Sequence, residues 1–137
     1  MSDGLGFGAN AKAALLTRGL TEIGRVGTAL GAARATFWGA AGVGDVLATC
    51  NSHLSRNWRA GFRLGSGESI AAVTEGQVSV VEGFPTTGAA RELAARLGVE
   101  APICAALYNV LFEGRRPADA VRELMTRRGR AEGEAWQ

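Results

Sequence analysis

The sequence is poor in cysteine, proline and aromatic residues. Its 137 residues include two cysteines and three prolines, and aromatic side chains make up 7% of the chain. Two cysteines without CxxC spacing exclude a disulfide framework and favour a reducing compartment, so we expect a cytoplasmic location. No run approaches the roughly 18 consecutive apolar residues that span a bilayer, and no signal-peptide pattern is present. We therefore expect no membrane span.

The sequence also lacks a large excess of charge of either sign, with 15 Lys and Arg residues against 13 Asp and Glu. The formal net charge is +2 at pH 7, which excludes a polycation that coats nucleic acid. The single histidine, His53, has no partner at metal-ligand spacing, so we predict a solvated loop residue and no metal site. Cys50 and Cys104 lie on apolar helical stretches without a histidine to activate them. We expect both thiols to be small buried hydrophobic groups.

Alanine and leucine dominate what the sequence does contain. Hydrophobic residues make up 47% of the chain, yet Val and Ile do not form the alternating runs that half-buried strands require. We therefore predict an all-α fold, a compact bundle of about seven or eight helices. One domain is expected over residues 1–128, followed by a loosely ordered tail at residues 129–137.

The first helix is predicted to begin at Asn10 as N-cap and to end at Gly31. Spacings of three or four residues predict one apolar face that packs into the core, made of Leu16, Leu20, Ile23, Gly27 and Leu30. On the opposite, polar face, Arg18 and Glu22 are expected to pair at i,i+4 spacing.

Later helices are marked by capping residues. Ser55 is the predicted N-cap of a helix that Gly65 closes. The remaining predicted elements are a short turn at residues 34–39, a helix at 43–50, a helix at 68–75, one at 86–97 stopped by Gly98, and two that begin at Pro102 and Pro117.

Glycines near the N-terminus formally match a dinucleotide-binding fingerprint. Residues 4–9 read GLGFGA, which fits G-x-G-x-x-G/A. That fingerprint works only where a strand leads into the turn, and just three residues precede Gly4. We interpret the segment as the glycine-rich start of the first helix.

Polar groups cluster between residues 42 and 57. Asp45 and Thr49 are four residues apart, so a helix aims both side chains the same way. Ser55, Arg56 and Asn57 fall at a helix start, where free N–H groups and the macrodipole favour an anion. The alternative is purely structural: Ser55 caps the helix, Arg56 is a solvated charge and Asp45 is a helix-start carboxylate.

Three blocks of the sequence carry a family resemblance. They read SDGLGFGANAKAALLTRGLTEI, GAAGVGDVLATCNSHLSRNWRAG and VVEGFPTT. In this order and spacing they resemble the C-terminal domain of NAD(P)-dependent glycerol-3-phosphate dehydrogenase, from Ser2 to about Arg128. The family pattern GDxxxTCxSxxSRNxxxG is present, with Asn51 and His53 at two of its positions.

The resemblance implies a fold and a set of site residues. The fold is the helical C-terminal domain of 6-phosphogluconate-dehydrogenase-like enzymes. Substrate, either glycerol 3-phosphate or dihydroxyacetone phosphate, is then held by Asp45, Thr49, Ser55, Arg56 and Asn57. Arg56, Val80 and Glu82 are implied as contacts to the cofactor, NAD or NADP.

The resemblance also implies parts that these 137 residues do not supply. The family's N-terminal Rossmann domain and its catalytic lysine are absent, and the only lysine, Lys12, matches a non-catalytic basic position. We expect an oxidoreductase of phospholipid synthesis whose isolated substrate domain gives no turnover. Apolar surface left without the Rossmann partner favours a homo-oligomer.

A non-enzymatic function is the alternative. Arg56, Arg59 and Arg63 align at i, i+3 and i+7 on one predicted helix, and this face is a possible contact for nucleic acid or a protein partner. With a net charge of only +2, the electrostatic footprint of such a face is weak.

Overall fold

The computed structural model describes residues 1–75 and 81–127. Seven α-helices occupy these ranges, with no strand between them, so the predicted all-α fold is confirmed. A 3₁₀ turn, Arg34–Trp38, and a π-helical turn, Ala40–Gly44, connect the first two helices. The helices are α1 Ala9–Ala29, α2 Asp45–Asn51, α3 Arg56–Gly65, α4 Ile70–Thr74, α5 Gly83–Leu97, α6 Pro102–Phe112 and α7 Pro117–Thr126. Among these helices, none combines the length and apolar character needed to cross a membrane.

Most helix ends follow the capping residues. The Ser55 side chain accepts a hydrogen bond from the backbone N–H of Trp58, which confirms the predicted N-cap. Pro102 and Pro117 open α6 and α7, where a missing N–H costs nothing. Gly98 ends α5 in the left-handed conformation, at φ 65°.

Other helix boundaries differ from the prediction. Gly8, not Asn10, is the N-cap of α1, because the preceding turn already directs the Gly8 carbonyl to the N–H of Lys12 at 3.2 Å. The α3 helix ends at Gly65 as predicted, but Gly67 is the residue with positive φ beyond it. The α5 helix starts at Gly83, earlier than predicted, since the first turn tolerates the proline two residues on.

The core centres on α3. Its buried cluster is made of Ala60, Leu64, Val73, Val81 and Leu111. Burying a Val or Leu side chain contributes about 1.5–3 kcal/mol relative to leaving it exposed. The cluster therefore fixes α3 against α4, α6 and the segment that leads into α5.

The predicted core face of α1 is only partly correct. Leu20 is buried, but Ile23 and Leu30 are 49% and 59% exposed. Glu22, predicted to be on the polar face, is buried instead. Its carboxylate accepts hydrogen bonds from the first free N–H groups of α6, which places that side of α1 inward.

The predicted pairing of Arg18 with Glu22 does not form. Arg18 Nη1 instead donates to the carbonyl of Leu124 at 2.6 Å. That carbonyl lies in the last turn of α7, where the final C=O groups lack intrahelical partners. Both side chains of the expected pair therefore join α1 to other helices.

The N-terminal glycines form a turn packed on α3. Gly6 has φ 74°, and a Cβ at Gly4 would collide with the carbonyl group of Phe62. The segment then leads directly into α1, with no strand in the described residues. These glycines lead into the first helix, as predicted, and Gly4 in addition permits close packing on α3.

Candidate functional site

A cavity of about 190 Å³ lies where the N-terminal segment, α1, α2 and the first turn of α3 meet. Such a volume accommodates a small polar molecule. Its walls combine apolar side chains with a few polar ones, the usual composition of a small-molecule site. They are formed by Met1, Ser2, Asp3, Lys12, Leu15, Leu16, Thr49, Cys50, Asn57 and Trp58.

The structure brings two of the sequence-predicted substrate residues into this cavity. Thr49 comes from α2 and Asn57 from the first turn of α3, and both line its wall. Arg56, next to Asn57, is exposed and lies outside that wall. The cavity therefore offers a hydroxyl and an amide, and the residue that precedes the amide in α3 is the exposed Arg56.

Two other predicted substrate residues, Ser55 and Asp45, are not on the cavity wall. The Ser55 hydroxyl accepts from the N–H of Trp58 at 3.2 Å, so its established contact is the cap of α3. Asp45 is exposed at the start of α2. Within the described residues it is not on the cavity wall, and its carboxylate is in no hydrogen bond or ion pair.

Asp3 links two walls of the cavity. Its Oδ2 accepts from Lys12 Nζ at 2.7 Å and from the indole Nε1 of Trp58 at 2.8 Å. Burial opposes ionisation of this carboxyl, but the two hydrogen bonds outweigh it and lower the pKa of Asp3. An ionised Asp3 thus ties α1 to α3.

Sequence reasoning missed Asp3, Lys12 and Trp58 as residues of this cavity. Lys12 was assigned only a non-catalytic basic position. The signal that could have drawn attention to it is its being the single lysine of the chain. No local pattern predicts that it meets Asp3 beside Trp58, because the indole is 55 residues from Asp3 in the chain.

Trp58 also anchors an aromatic group on α3. Its ring stacks on Phe62, with centroids 5.1 Å apart and an interplanar angle of 18°. The His53 ring lies edge-on to Trp58 at 4.2 Å. His53 is exposed, as predicted for a loop residue, but it packs on the tryptophan instead of standing free in solvent.

A second pair of contacts joins the start of α3 to the start of α5. Asn57 Oδ1 accepts from the backbone N–H of Gly83 at 3.0 Å. Arg56 Nη2 lies 3.9 Å from Glu82 Oε1, with both side chains largely open to solvent, so this ion pair contributes little stability. Val80, the third predicted cofactor contact, lies outside the described residues.

The two cysteines are half-buried rather than fully buried. Burial raises the pKa of both thiols, which keeps them protonated and weakly nucleophilic near neutral pH. Within residues 1–75 and 81–127, no group of three or more His, Cys, Asp or Glu side chains is arranged to hold a metal ion.

The alternative interpretation requires Arg56, Arg59 and Arg63 to face a partner together, but Arg63 is engaged within the chain. Arg63 makes two hydrogen bonds to the Glu68 carboxylate through Nε, at 3.0 and 2.9 Å, and one through Nη2. The same guanidinium donates to the carbonyl of Ala72 at 3.0 Å. Because Arg63 holds the end of α4, the structure does not support a three-arginine contact surface.

The described residues do not fit a whole dinucleotide cofactor. The glycine-rich turn before α1 packs against α3, and no sheet lies beside it in the described ranges. Arg56 and Glu82 are exposed side chains that can meet only the edge of such a molecule.

The arrangement is suited to an anion that carries hydroxyl groups. The N–H groups of Arg56 and Asn57 lie in the first turn of a ten-residue helix, where no intrahelical carbonyl reaches them. The Arg56 guanidinium adds donors that match phosphate oxygens. Thr49 and Asn57 can hydrogen-bond a hydroxyl or carbonyl beside the anion.

Comparisons with known proteins all point to one family. Residues 1–122 match the family described as the C-terminus of NAD-dependent glycerol-3-phosphate dehydrogenase. A glycerol-3-phosphate dehydrogenase [NAD(P)+] of Geobacillus kaustophilus is 59% identical over 127 residues, which cover 93% of this chain and 37% of that protein. The protein of the same name from Nitratidesulfovibrio vulgaris strain Hildenborough is 54% identical over 132 residues, 96% of this chain and 40% of that protein.

A solved structure has the same fold. The crystal structure of glycerol-3-phosphate dehydrogenase from Coxiella burnetii superposes with a TM-score of 0.89 and 40% sequence identity. The match covers 92% of this chain and 39% of the other. This chain thus spans about two fifths of the length of the proteins it matches.

Proposed function

This chain belongs to the family of NAD-dependent glycerol-3-phosphate dehydrogenase C-termini, and from that premise we propose that it supplies the substrate site of such an enzyme. The reaction interconverts dihydroxyacetone phosphate and glycerol 3-phosphate with NAD or NADP. The observation that carries the proposal is the cavity that Thr49 and Asn57 share at the start of α3, the helix whose first residue is Arg56.

The proposed substrate contacts follow from the chemistry of each group. Arg56 and the free N–H groups of the first α3 turn bind the phosphoryl oxygens. Asn57 donates to a phosphoryl or hydroxyl oxygen, and the Thr49 hydroxyl contacts the three-carbon backbone. Asp45 and Ser55 are proposed to act from outside the cavity wall, Ser55 through the cap it forms on α3.

The chemical step is a hydride transfer at C2 of the substrate. A nicotinamide cofactor, when bound, would supply the hydride to this carbon. The described residues contribute binding and orientation to this step, which raise the rate by fixing the reacting carbon. Arg56 and Glu82, with Val80, are proposed to contact the cofactor from this side.

Further properties of the chain follow from the same proposal. Residues 1–128 act as one substrate-binding domain in the cytoplasm, in the synthesis of glycerol phospholipids. The exposed apolar side chains Ile23 and Leu30 on α1 favour a homo-oligomer, for which a light-scattering mass of a single chain would be contrary evidence.

Calorimetric titration of the chain with sn-glycerol 3-phosphate tests the proposed site. We expect saturable binding, absent with unphosphorylated glycerol. Arg56→Ala should weaken it on the order of 100-fold, because losing a charged hydrogen-bond partner in a site costs about 3 kcal/mol. Arg59→Ala, the matched control on an exposed α3 position, should stay within about twofold. Equal effects of the two variants would contradict the proposal.

A further inference from the structure

We propose that Gly83 is a positioning residue, whose backbone N–H fixes the side-chain amide of Asn57 in the orientation that binds the ligand. The inference rests on the proposed function, since the ligand is the phosphate ester named there. Gly83 itself is not on the cavity wall. It acts through Asn57, 26 residues earlier in the chain.

The hydrogen bond determines which end of the amide remains for a ligand. The N–H of Gly83 can only donate, so the atom that faces it at 3.0 Å must be the Asn57 carbonyl oxygen. The Nδ2 group, with its two donors, is then what Asn57 has left for the cavity it lines. A reversed amide would present a carbonyl oxygen to phosphoryl oxygens, which repel it.

The donor is held in place by the core. Val81, two residues before Gly83, is 5% exposed and belongs to the same buried cluster as Ala60 and Leu64 of α3. The segment that carries the Gly83 N–H is thus packed against the helix that carries Asn57. A rigid support of this kind lets one backbone group orient a side chain.

Space at position 83 is limited on the Asn57 side. A Cβ there would stand 2.8 Å from Asn57 Oδ1 and 3.2 Å from its Cγ. Gly83 is not among the glycines with positive φ, so its backbone conformation is open to alanine. The steric cost of Gly83→Ala therefore falls on the Asn57 side chain, which must turn away and lose its hydrogen bond.

The variants Gly83→Ala and Gly88→Ala provide a matched comparison. Both glycines lie in α5, and a Cβ at Gly88 meets nothing within 4 Å. We expect calorimetry with sn-glycerol 3-phosphate to show binding weakened about tenfold by Gly83→Ala, the equivalent of one hydrogen bond of about 1.4 kcal/mol. Gly88→Ala should change the affinity by less than about twofold, and circular dichroism should show both variants equally helical.

A double-mutant cycle separates positioning from a general structural effect. In an Asn57→Ala background, Gly83→Ala should cause no further loss of affinity, because the group it displaces is gone. Losses that add in the double variant would overturn the inference, and so would equal affinities of Gly83→Ala and Gly88→Ala. Absence of any binding by the unmodified chain would overturn the proposed function together with the inference, so the two failures are distinguishable.

Discussion

Glu22 is a residue whose role depends on contacts far along the chain. It is 6% exposed, and its carboxylate oxygens accept from the N–H groups of Ile103 and Cys104, both at 2.8 Å. A carboxylate at a helix N-terminus satisfies free donors and complements the macrodipole. Glu22 thus provides from α1 the cap that α6 lacks in its own sequence.

The burial of Glu22 makes a prediction about pH. Burial raises the pKa of this carboxyl, although the backbone hydrogen bonds from Ile103 and Cys104 oppose the shift. The native state then holds the proton more tightly than the unfolded state. The contribution of Glu22 to the free energy of unfolding is therefore largest below its unfolded pKa and falls as pH rises through the raised value.

Urea unfolding of the unmodified chain and of Glu22→Gln, measured from pH 4 to pH 8, checks this sign. The stability of the unmodified chain relative to the variant should decline with rising pH and then level off. Groups whose pKa is lowered, such as Asp3 and Asp119, titrate in both proteins and cancel. A difference that is constant, or that grows with pH, would refute the assignment.

For single residues, the sequence predicted local contacts better than contacts between distant segments. Ser55 was identified because an N-cap is a local interaction between residues three apart. Glu22 was placed on the polar face because periodicity shows a helix side but not what packs on it. The Asn57–Gly83 bond was equally out of reach, since its partners are 26 residues apart.

At the scale of elements, α3 and α4 begin with the same capping interaction. Ser55 Oγ accepts from Trp58 N at 3.2 Å, and Ser69 Oγ accepts from Ala72 N at 3.1 Å. Only α3 carries proposed ligand-binding residues in the turn that its cap orders. The two serines therefore form a matched pair for separating stability from binding.

Ser55→Ala and Ser69→Ala should each lower the free energy of unfolding by about 1 kcal/mol, the usual loss for an N-cap. Ser55→Ala should in addition weaken binding of sn-glycerol 3-phosphate several-fold, since the first α3 turn loosens around Arg56 and Asn57. Ser69→Ala should leave the affinity unchanged. Chemical denaturation and calorimetry measure the two quantities, and parallel losses of affinity would show that α3 has no special role.

Helix existence was easier to predict than helix boundaries and faces. Pro102, Pro117 and Gly98 marked ends correctly because each acts through its own backbone conformation. Asn10 was the wrong start for α1 because a polar side chain is not required where the preceding turn already supplies a carbonyl. Ile23 and Leu30 fitted an apolar stripe that the described residues leave exposed.

At the scale of the molecule, the fold places a cavity with a few polar groups at the meeting point of the N-terminal segment, α1, α2 and α3. The Asp3 contacts with Lys12 and Trp58 hold α1 against α3, and the Asn57–Gly83 bond holds α3 against α5. Arg56, the first residue of α3, faces Glu82 at the molecular surface.

A chimeric enzyme tests the central claim most directly. In the Geobacillus kaustophilus relative, the 127 residues that align with this chain at 59% identity are replaced by those of this chain, and NADH or NADPH oxidation is measured with dihydroxyacetone phosphate. We predict turnover that depends on the phosphate ester and that Arg56→Ala reduces on the order of 100-fold in kcat/KM while Arg59→Ala does not. A folded chimera without turnover, beside an active parent, would contradict the account.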